Sequence, residues 1–375
     1  MGADTSVNLT PAGQILAMGL LLAMAPVVWV AWRNRGTGRH LQALAGVTLL
    51  LTLDLLLFGA FTRLTDSGLG CPDWPGCYGT GTPVGAQAQI QLAQLQMPTG
   101  PVTQVKAWIE MLHRYWATAV GGLVLLLAGL YAYQRKQLPP TAPSSAWGIL
   151  TVLWIMLQGA FGALTVTSRL YPAIVTLHLL GAVVLLALLT RWFTGLAQAQ
   201  QGRLGETIAA HQRVGIWLVL SLLVLQIALG GWVSSNYAVL ACTEFPRCQG
   251  SFWPSMDFGS AFTLWRPLGQ DGNGQYLDFA ALTAIHVVHR LGALIVILAT
   301  LILARVLWPS QALRRQVAWL LVLLLAQLAT GLSNSILGWP LAAAVLHTGG
   351  AAALSMVMVW LLSVTRVATG QKAGA

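Results

Sequence analysis

Histidines in apolar segments are the residues of this chain whose type and placement could do chemistry. Five of the seven histidines lie in such segments, and four of them form two pairs. Imidazole nitrogen binds iron, zinc and copper, and ionisable groups inside a membrane are costly and usually functional. The pairs are His113 with His178, and His289 with His347.

The two histidines of each pair are expected at the same depth. His113 lies about seven and His178 about six residues from the outer end of its apolar segment, which is roughly 10 Å below the surface at about 1.5 Å per residue. His289 and His347 are expected to match each other in depth in the same way. Two imidazoles at one depth on neighbouring helices can bind an iron from opposite faces of a porphyrin. The alternative is a structural histidine that forms a hydrogen bond between helices. That role would explain a single intramembrane histidine, but heme binding better explains two duplicated pairs. Zinc or copper is less favoured, because each half repeats only two ligands.

An acidic residue distinguishes the two pairs. Glu110 precedes His113 by three residues and shares its helix face, whereas His286 has the equivalent position in the other pair. A carboxylate one turn from a heme ligand could act on the porphyrin edge or relay a proton. The alternative is an ordinary partner for a nearby Arg or Trp. The asymmetry suggests that one half does chemistry and the other carries electrons.

Arginines near the histidines could bind an anionic group at the wet edge of such a site. Arg114 and Arg290 directly follow histidines, and Arg63 and Arg169 lie at outer helix ends. Guanidinium binds a heme propionate bidentately. The alternative for each arginine is snorkelling to the membrane interface.

An internal repeat relates the elements that carry these residues. It predicts an extra helix over residues 1–40, then four-helix bundles over 41–200 and 201–375, related by an axis along the membrane normal. In the first aligned pair of segments, Gly59 meets Gly230 without a gap. In the last pair of segments, His178 aligns with His347 when a gap of one residue is allowed. The aligned segments are 58–79 with 229–250, 110–121 with 286–297, and 171–182 with 339–351.

The composition indicates an all-α polytopic membrane protein. Hydrophobic residues make up 56% of the 375 residues and charged residues 8%, with a mean hydropathy of +0.70. Soluble domains carry about 25% charged residues. Segments of about 20 apolar residues can span a bilayer. The predicted spans are 14–32, 41–61, 107–133, 146–166, 173–193, 214–234, 280–304, 317–336 and 340–364.

The charged residues predict the orientation. Thirteen of the 20 basic residues lie in one set of connections, which is therefore expected to be cytoplasmic. The N-terminus is then outside and the C-terminus inside, and the net charge of +10 needs no nucleic-acid partner. The first span precedes its positive charges, which favours an anchor over a cleavable signal. With no transit-like segment, a bacterial inner membrane is expected. These basic residues are Arg33, Arg35, Arg39, Arg135, Lys136, Arg191, Arg203, Arg213, Arg305, Arg314, Arg315, Arg366 and Lys372.

Four cysteines lie in the two long outer loops, about 62–106 and 235–279. We predict two short-loop disulfides, because the outer side is oxidising. A single metal site built from four thiols is the alternative, but it calls for tighter spacing within each pair. The pairs are Cys71 with Cys77, and Cys242 with Cys248.

Together these residues resemble the heme A synthase family, over about residues 41–365. No nucleotide-binding loop or hydrolase motif competes with this resemblance. The segments that carry it are RLTDSGLGCPDWPGC (63–77), the E-x-x-H-R of 110–114, LTVTSRLYPAIVTLH (164–178), HVVHR (286–290) and His347.

The resemblance implies an oxidoreductase that converts the C8 methyl group of heme O to a formyl group by successive O2-dependent hydroxylations. His113, His178 and Glu110 would serve substrate heme O, and His289 and His347 would hold a heme b cofactor. It implies an electron donor and suggests heme O synthase as a partner. Paired loop cysteines occur in part of the family. The family has eight helices and an inside N-terminus, so the span at 14–32 is an addition.

Two other functions fit the same pattern. A diheme b-type membrane electron carrier would need the histidines but no acid beside them, so Glu110 discriminates it from the synthase. A transporter would fit the parallel repeats, and it would bind no stoichiometric heme.

Overall fold

The computed structural model describes residues 9–35 and 38–367, which are mostly helical. Lys372, assigned above to the cytoplasmic side, lies outside these residues. In the described part of the chain, nine helices are long and apolar enough to cross a membrane, which confirms the predicted class and the nine spans. They are α1 Thr10–Arg33, α2 His40–Leu64, α4 Gln104–Gln134, α5 Ala146–Thr167, α6 Pro172–Gln201, α7 Ala210–Ser235, α9 Phe279–Leu307, α10 Arg314–Ile336 and α11 Leu341–Val364.

Residues with known end preferences set several helix boundaries. The Thr103 hydroxyl accepts a hydrogen bond from the backbone N–H of Lys106 at 3.2 Å and begins α4. Pro172 occupies the first turn of α6, where no amide hydrogen is needed. Gly202 ends the same helix with φ +61°, a conformation that costs glycine little. Between these ends, the helix satisfies its own backbone, as the bilayer requires.

The membrane helices pack in two closed rings. In the first, α2 contacts α4, α4 contacts α5, α5 contacts α6, and α6 returns to α2. The second has the same order with α7, α9, α10 and α11. The rings meet where α11 packs against α2 and α6, and where α6 packs against α7. One apolar core cluster runs through both rings, and the predicted division between residues 200 and 201 stays a prediction.

Short elements cap the two ends of the molecule, and the apolar pattern did not predict them. The end with the two long cysteine-containing loops, the loop end, carries α3 Gln87–Gln96 and α8 Phe258–Ala261. At the opposite end, β1 Glu206–Ile208 pairs in parallel with β2 Thr365–Val367. These segments are too short and too polar to produce a spanning pattern.

The added helix α1 packs outside the first ring, mainly on α4. Its first turns touch the first disulfide loop. The Gln14 side-chain oxygen accepts a hydrogen bond from Gly81 N at 2.8 Å, and Ile15 shares a buried cluster with Cys71 and Cys77. The start of α1 therefore lies at the loop end.

Candidate functional site

Glu110 and Arg114 hold the first disulfide loop against α4. One carboxylate oxygen of Glu110 accepts a hydrogen bond from Cys71 N at 2.7 Å, and the other pairs with Arg114 one turn along the helix. Arg114 also donates to the backbone oxygens of Asp73 at 2.9 Å and Pro75 at 3.0 Å. Glu110 is only 3% exposed. Both predicted site residues thus position the loop above the histidines.

The second loop is held in a similar way, but without a carboxylate. Arg290 donates to the backbone oxygens of Cys242 at 2.8 Å and Arg247 at 3.1 Å. His286, which replaces Glu110, is buried, and its Nδ1 lies 3.0 Å from the Ala238 oxygen. The arginine contact is therefore common to both halves, and the ion pair belongs to the first half.

Both cysteine pairs form disulfides, as predicted. Cys71 and Cys77 lie in one buried cluster and Cys242 and Cys248 in another, so the thiols do not share a metal site.

We expect the folded protein to react with no maleimide before reduction and with four per chain after reduction and unfolding. Mass spectrometry of the intact chain measures the added mass. Labelling without reductant would contradict the disulfides.

Each of the four paired histidines packs against a glycine of the preceding membrane helix. A Cβ atom at three of these glycines would lie only 3.0 to 3.1 Å from the nearest ring atom, so a larger residue there would push against the imidazole. At Gly162 the distance would be 3.5 Å, an ordinary van der Waals contact. The sequence had aligned two of these glycines but did not suggest the contact. The pairs are His113–Gly59, His178–Gly162, His289–Gly230 and His347–Gly331.

The paired imidazoles are neighbours across each ring of helices. A charge on His178 would repel a charge on His113, and His347 and His289 interact in the same way. All four rings are half-buried. Among the described residues, no three histidine, cysteine or acidic side chains converge as ligands of a metal ion.

This donor set fits a heme better than a bare metal ion. A porphyrin supplies four equatorial nitrogens, so two imidazoles complete the iron shell, whereas zinc would need further protein ligands. The Nδ1 atom of His178 is buried without a hydrogen-bond partner. Its ring is therefore not engaged as an ordinary interhelical bridge at that atom.

Arg63 joins the two halves at the loop end. Its guanidinium donates to the backbone oxygen of Ser234 at 2.8 Å and to the Tyr237 hydroxyl at 3.0 Å, and it pairs with Asp66 at 3.1 Å. The Tyr237 hydroxyl donates to Asp66 at 2.5 Å. Burial raises the pKa of Tyr237, although Arg63 lowers it. Arg169, by contrast, is exposed at the end of α5. Propionate binding by the four arginines stays a prediction.

We expect Arg63→Ala to lower the melting temperature of the detergent-solubilised protein by roughly 2–4 °C. It removes charged hydrogen bonds between the halves that together contribute about 2 kcal/mol. Circular dichroism during heating measures the shift. Arg203→Ala, at an exposed arginine of the opposite end, is the control. Equal melting temperatures for both variants would contradict the bridging role.

Sequence reasoning missed the polar residues beside the histidines. Gln226 and Gln327 donate to the backbone oxygens of His289 and His347 at 2.9 and 3.0 Å, from the helix that also carries the contacting glycine. A glutamine four residues before that glycine was visible in the sequence, and its recurrence was the available signal.

Comparison with known proteins agrees with this geometry. Relatives named heme A synthase include one from Shewanella oneidensis, 40% identical over 85% of this chain and 95% of its own length. Another from Rhodospirillum centenum is 27% identical over 96% of this chain and 94% of its own. The model of the COX15-CtaA family, described as cytochrome oxidase assembly protein, matches residues 42–359. These matches confirm the resemblance drawn from the motifs: the chain belongs to the COX15-CtaA family of cytochrome oxidase assembly proteins.

Proposed function

We propose that this chain is a heme A synthase, an oxidoreductase that converts the C8 methyl group of heme O to a formyl group by successive hydroxylations. Each hydroxylation takes one oxygen atom from O2, and two electrons and two protons reduce the other atom to water. The second hydroxylation gives a geminal diol, which loses water to leave the formyl group. An electron donor is therefore a required partner. The relatives' name supports the activity. For this chain, the activity is inferred from one observation. A carboxylate, Glu110, lies beside the first histidine pair and holds its loop, and the equivalent position beside the second pair is a histidine.

The first half binds substrate heme O through His113 and His178, and the second holds heme b through His289 and His347. Bound heme supplies the redox chemistry. The paired imidazoles would hold the iron, and the glycines that contact the rings allow close approach of the helices that carry them.

Glu110 acts at the buried end of the first site that faces the disulfide loop. Its carboxylate lies one turn from His113 and touches the loop backbone at Cys71. From there it can accept or deliver a proton at the porphyrin edge. Its ion pair with Arg114 holds the carboxylate in place.

Arginines at the loop end bind the heme propionates. Arg114 and Arg290 follow the ligands and already hold the loops, so a propionate would bind beside those contacts. Arg169 is exposed and could turn toward the first site. Arg63 is the least available, because its terminal nitrogens bind Asp66, Ser234 and Tyr237.

The protein spans a bacterial inner membrane, with the loop end outside. The N-terminus is then outside and the C-terminus cytoplasmic, as the basic residues indicate. Lipid surrounds the exposed apolar helix faces, and heme O synthase is a candidate partner that delivers substrate. No nucleic acid is expected to bind.

Heme extraction tests this function. Membranes containing the protein and a source of heme O are extracted, and the hemes are separated by chromatography. Heme A or its hydroxylated intermediate supports the synthase. Heme b alone would contradict it and favour the diheme electron carrier. Absence of stoichiometric heme would contradict both.

A further inference from the structure

A repeated glutamine–glycine pattern surrounds three of the four paired histidines. The preceding helix carries Q-x-x-x-G, whose glycine contacts the imidazole, and the histidine's own helix carries H-x-x-G. Residues three or four apart share a helix face, so the two patterns meet. The first pattern is at 158–162, 226–230 and 327–331, and the second is at 178–181, 289–292 and 347–350.

The glutamine of each pattern lies directly over the second glycine. A Cβ at Gly181, Gly292 or Gly350 would collide with the side chain of the facing glutamine. In the second half, the amides of Gln226 and Gln327 also donate to the backbone oxygen of the histidine. The glutamines therefore hold the histidine helices in register.

In the second half, both ring Nδ1 atoms have a polar partner. Thr330 Oγ1 lies 3.0 Å from His347 Nδ1, and the same hydroxyl donates to the Ala326 oxygen at 2.8 Å. Its lone pairs are therefore free to accept the Nδ1 proton. That is the tautomer in which Nε2 can bind iron.

The other ring of the second half is partnered by an amide. Gln226 Nε2 lies 3.0 Å from His289 Nδ1. A half-turn of the amide presents Oε1 to the ring, so Gln226 accepts the Nδ1 proton of the iron-binding tautomer when its amide gives up the hydrogen bond to the His289 oxygen.

The equivalent positions of the first half are apolar. Gln226 lies four residues before its contacting glycine, and Leu55 has that position before Gly59. Thr330 lies directly before its contacting glycine, and Phe161 has that position before Gly162. Neither side chain can accept a hydrogen bond, and His178 Nδ1 is buried without a partner. The other three histidines have a glycine three residues later, but His113 has Trp116 at that position. The Trp116 indole donates to the Leu51 oxygen at 3.3 Å.

The first half also has a cavity between the two helices that contact its second ligand. A cavity of about 230 Å³ lies between α5 and α6, and its lining includes Leu177 and Gly181, which adjoin His178 on its helix, and Phe161. The His178 ring has no hydrogen bond at Nδ1 that would hold its orientation toward an iron.

We propose that Gln226 and Thr330 are positioning residues that make heme binding in the second half effectively permanent, and that Leu55 and Phe161 make it exchangeable in the first half. The proposal rests on the proposed function, in which one half retains a cofactor while the other must admit substrate and release product. A hydrogen bond at Nδ1 orients the ring and raises its basicity, and loss of such a partner typically weakens metal binding about 10–100-fold.

Heme transfer to apomyoglobin measures this difference. Each half is studied alone in the full-length chain, with the other half's histidine pair changed to alanine, after loading with heme b. We expect release from the second half to be at least about tenfold slower than from the first. Gln226→Leu and Thr330→Val should speed release from the second half by about tenfold, and Thr330→Ser should restore it. Leu55→Gln and Phe161→Thr should slow release from the first.

A spectroscopic readout separates positioning from general loosening. Low-spin iron signals in electron paramagnetic resonance respond to the Nδ1 hydrogen bond, so we expect them to shift in Thr330→Val and to return in Thr330→Ser. Equal release rates from the two halves, or unchanged rates and signals in Gln226→Leu and Thr330→Val, would overturn the proposal while leaving heme binding intact. Failure of the unmodified protein to bind heme would instead overturn the proposed function, and this proposal with it.

Discussion

Glu110→Gln is expected to reduce the conversion of heme O to heme A by about 10²- to 10⁴-fold, the usual effect of losing a general acid or base. Glutamine has nearly the same shape, and its amide oxygen can still accept the hydrogen bond from Cys71. What it loses is the negative charge toward Arg114 and the ability to take up a proton. The measurement is the ratio of heme A to heme O extracted from membranes that contain equal amounts of protein.

Controls separate this chemistry from folding. Because Glu110 also holds the first disulfide loop, heme content and melting temperature are measured on the same Glu110→Gln preparation. His286→Gln changes the equivalent position of the second half, which contacts Ala238, and it should retain most of the conversion. A Glu110→Gln protein that keeps its heme and converts heme O at the normal rate would remove Glu110 from the mechanism and favour a simple electron carrier.

His289→Ala and His347→Ala are each expected to lower the heme b content of the purified protein by at least about tenfold. Loss of a second-shell partner alone weakens metal sites about 10–100-fold, and these changes remove a proposed iron ligand itself. Conversion of heme O should fall with the heme b content, because the second half carries the electrons in the proposed function. The reduced-minus-oxidised absorption spectrum measures the loss.

Two comparisons test the specificity of that result. His211→Ala changes an exposed histidine at the start of α7 and should leave the spectrum unchanged. His178→Ala should retain the heme b spectrum and lose conversion, since His178 lies in the half that we propose binds the substrate. If His289→Ala retains full heme b content, the assignment of the cofactor to the second half is wrong.

The spans were predictable because membrane insertion leaves a simple local signal. About 20 consecutive apolar residues satisfy the bilayer wherever the helix later packs, so all nine predicted spans correspond to helices of the described chain. The disulfides were predictable for a similar reason, since each pair is separated by six positions in the sequence. The short elements α3, α8 and the β1–β2 pair lack such a signal.

The roles of the arginines depended on tertiary structure. From the sequence, Arg114 was a candidate propionate ligand because it directly follows His113, and Arg63 was a candidate because it lies at an outer helix end. The structure gives Arg63 partners 171 and 174 positions away at the end of α7, and gives Arg114 the backbone of its own disulfide loop. An arginine side chain reaches many acceptors, and only the packed loops decide which acceptors lie near it.

By itself, the sequence determined the membrane class, the duplicated histidine pairs, the cysteine pairing and the family. These follow from composition, spacing and repetition, which depend on near neighbours along the chain. The tertiary structure decided which helix faces each histidine, and that Gln226 and Thr330 approach the Nδ1 atoms of His289 and His347. Such contacts arise when separate helices pack at one depth. Their geometry depends on glycine-sized gaps that no local pattern specifies.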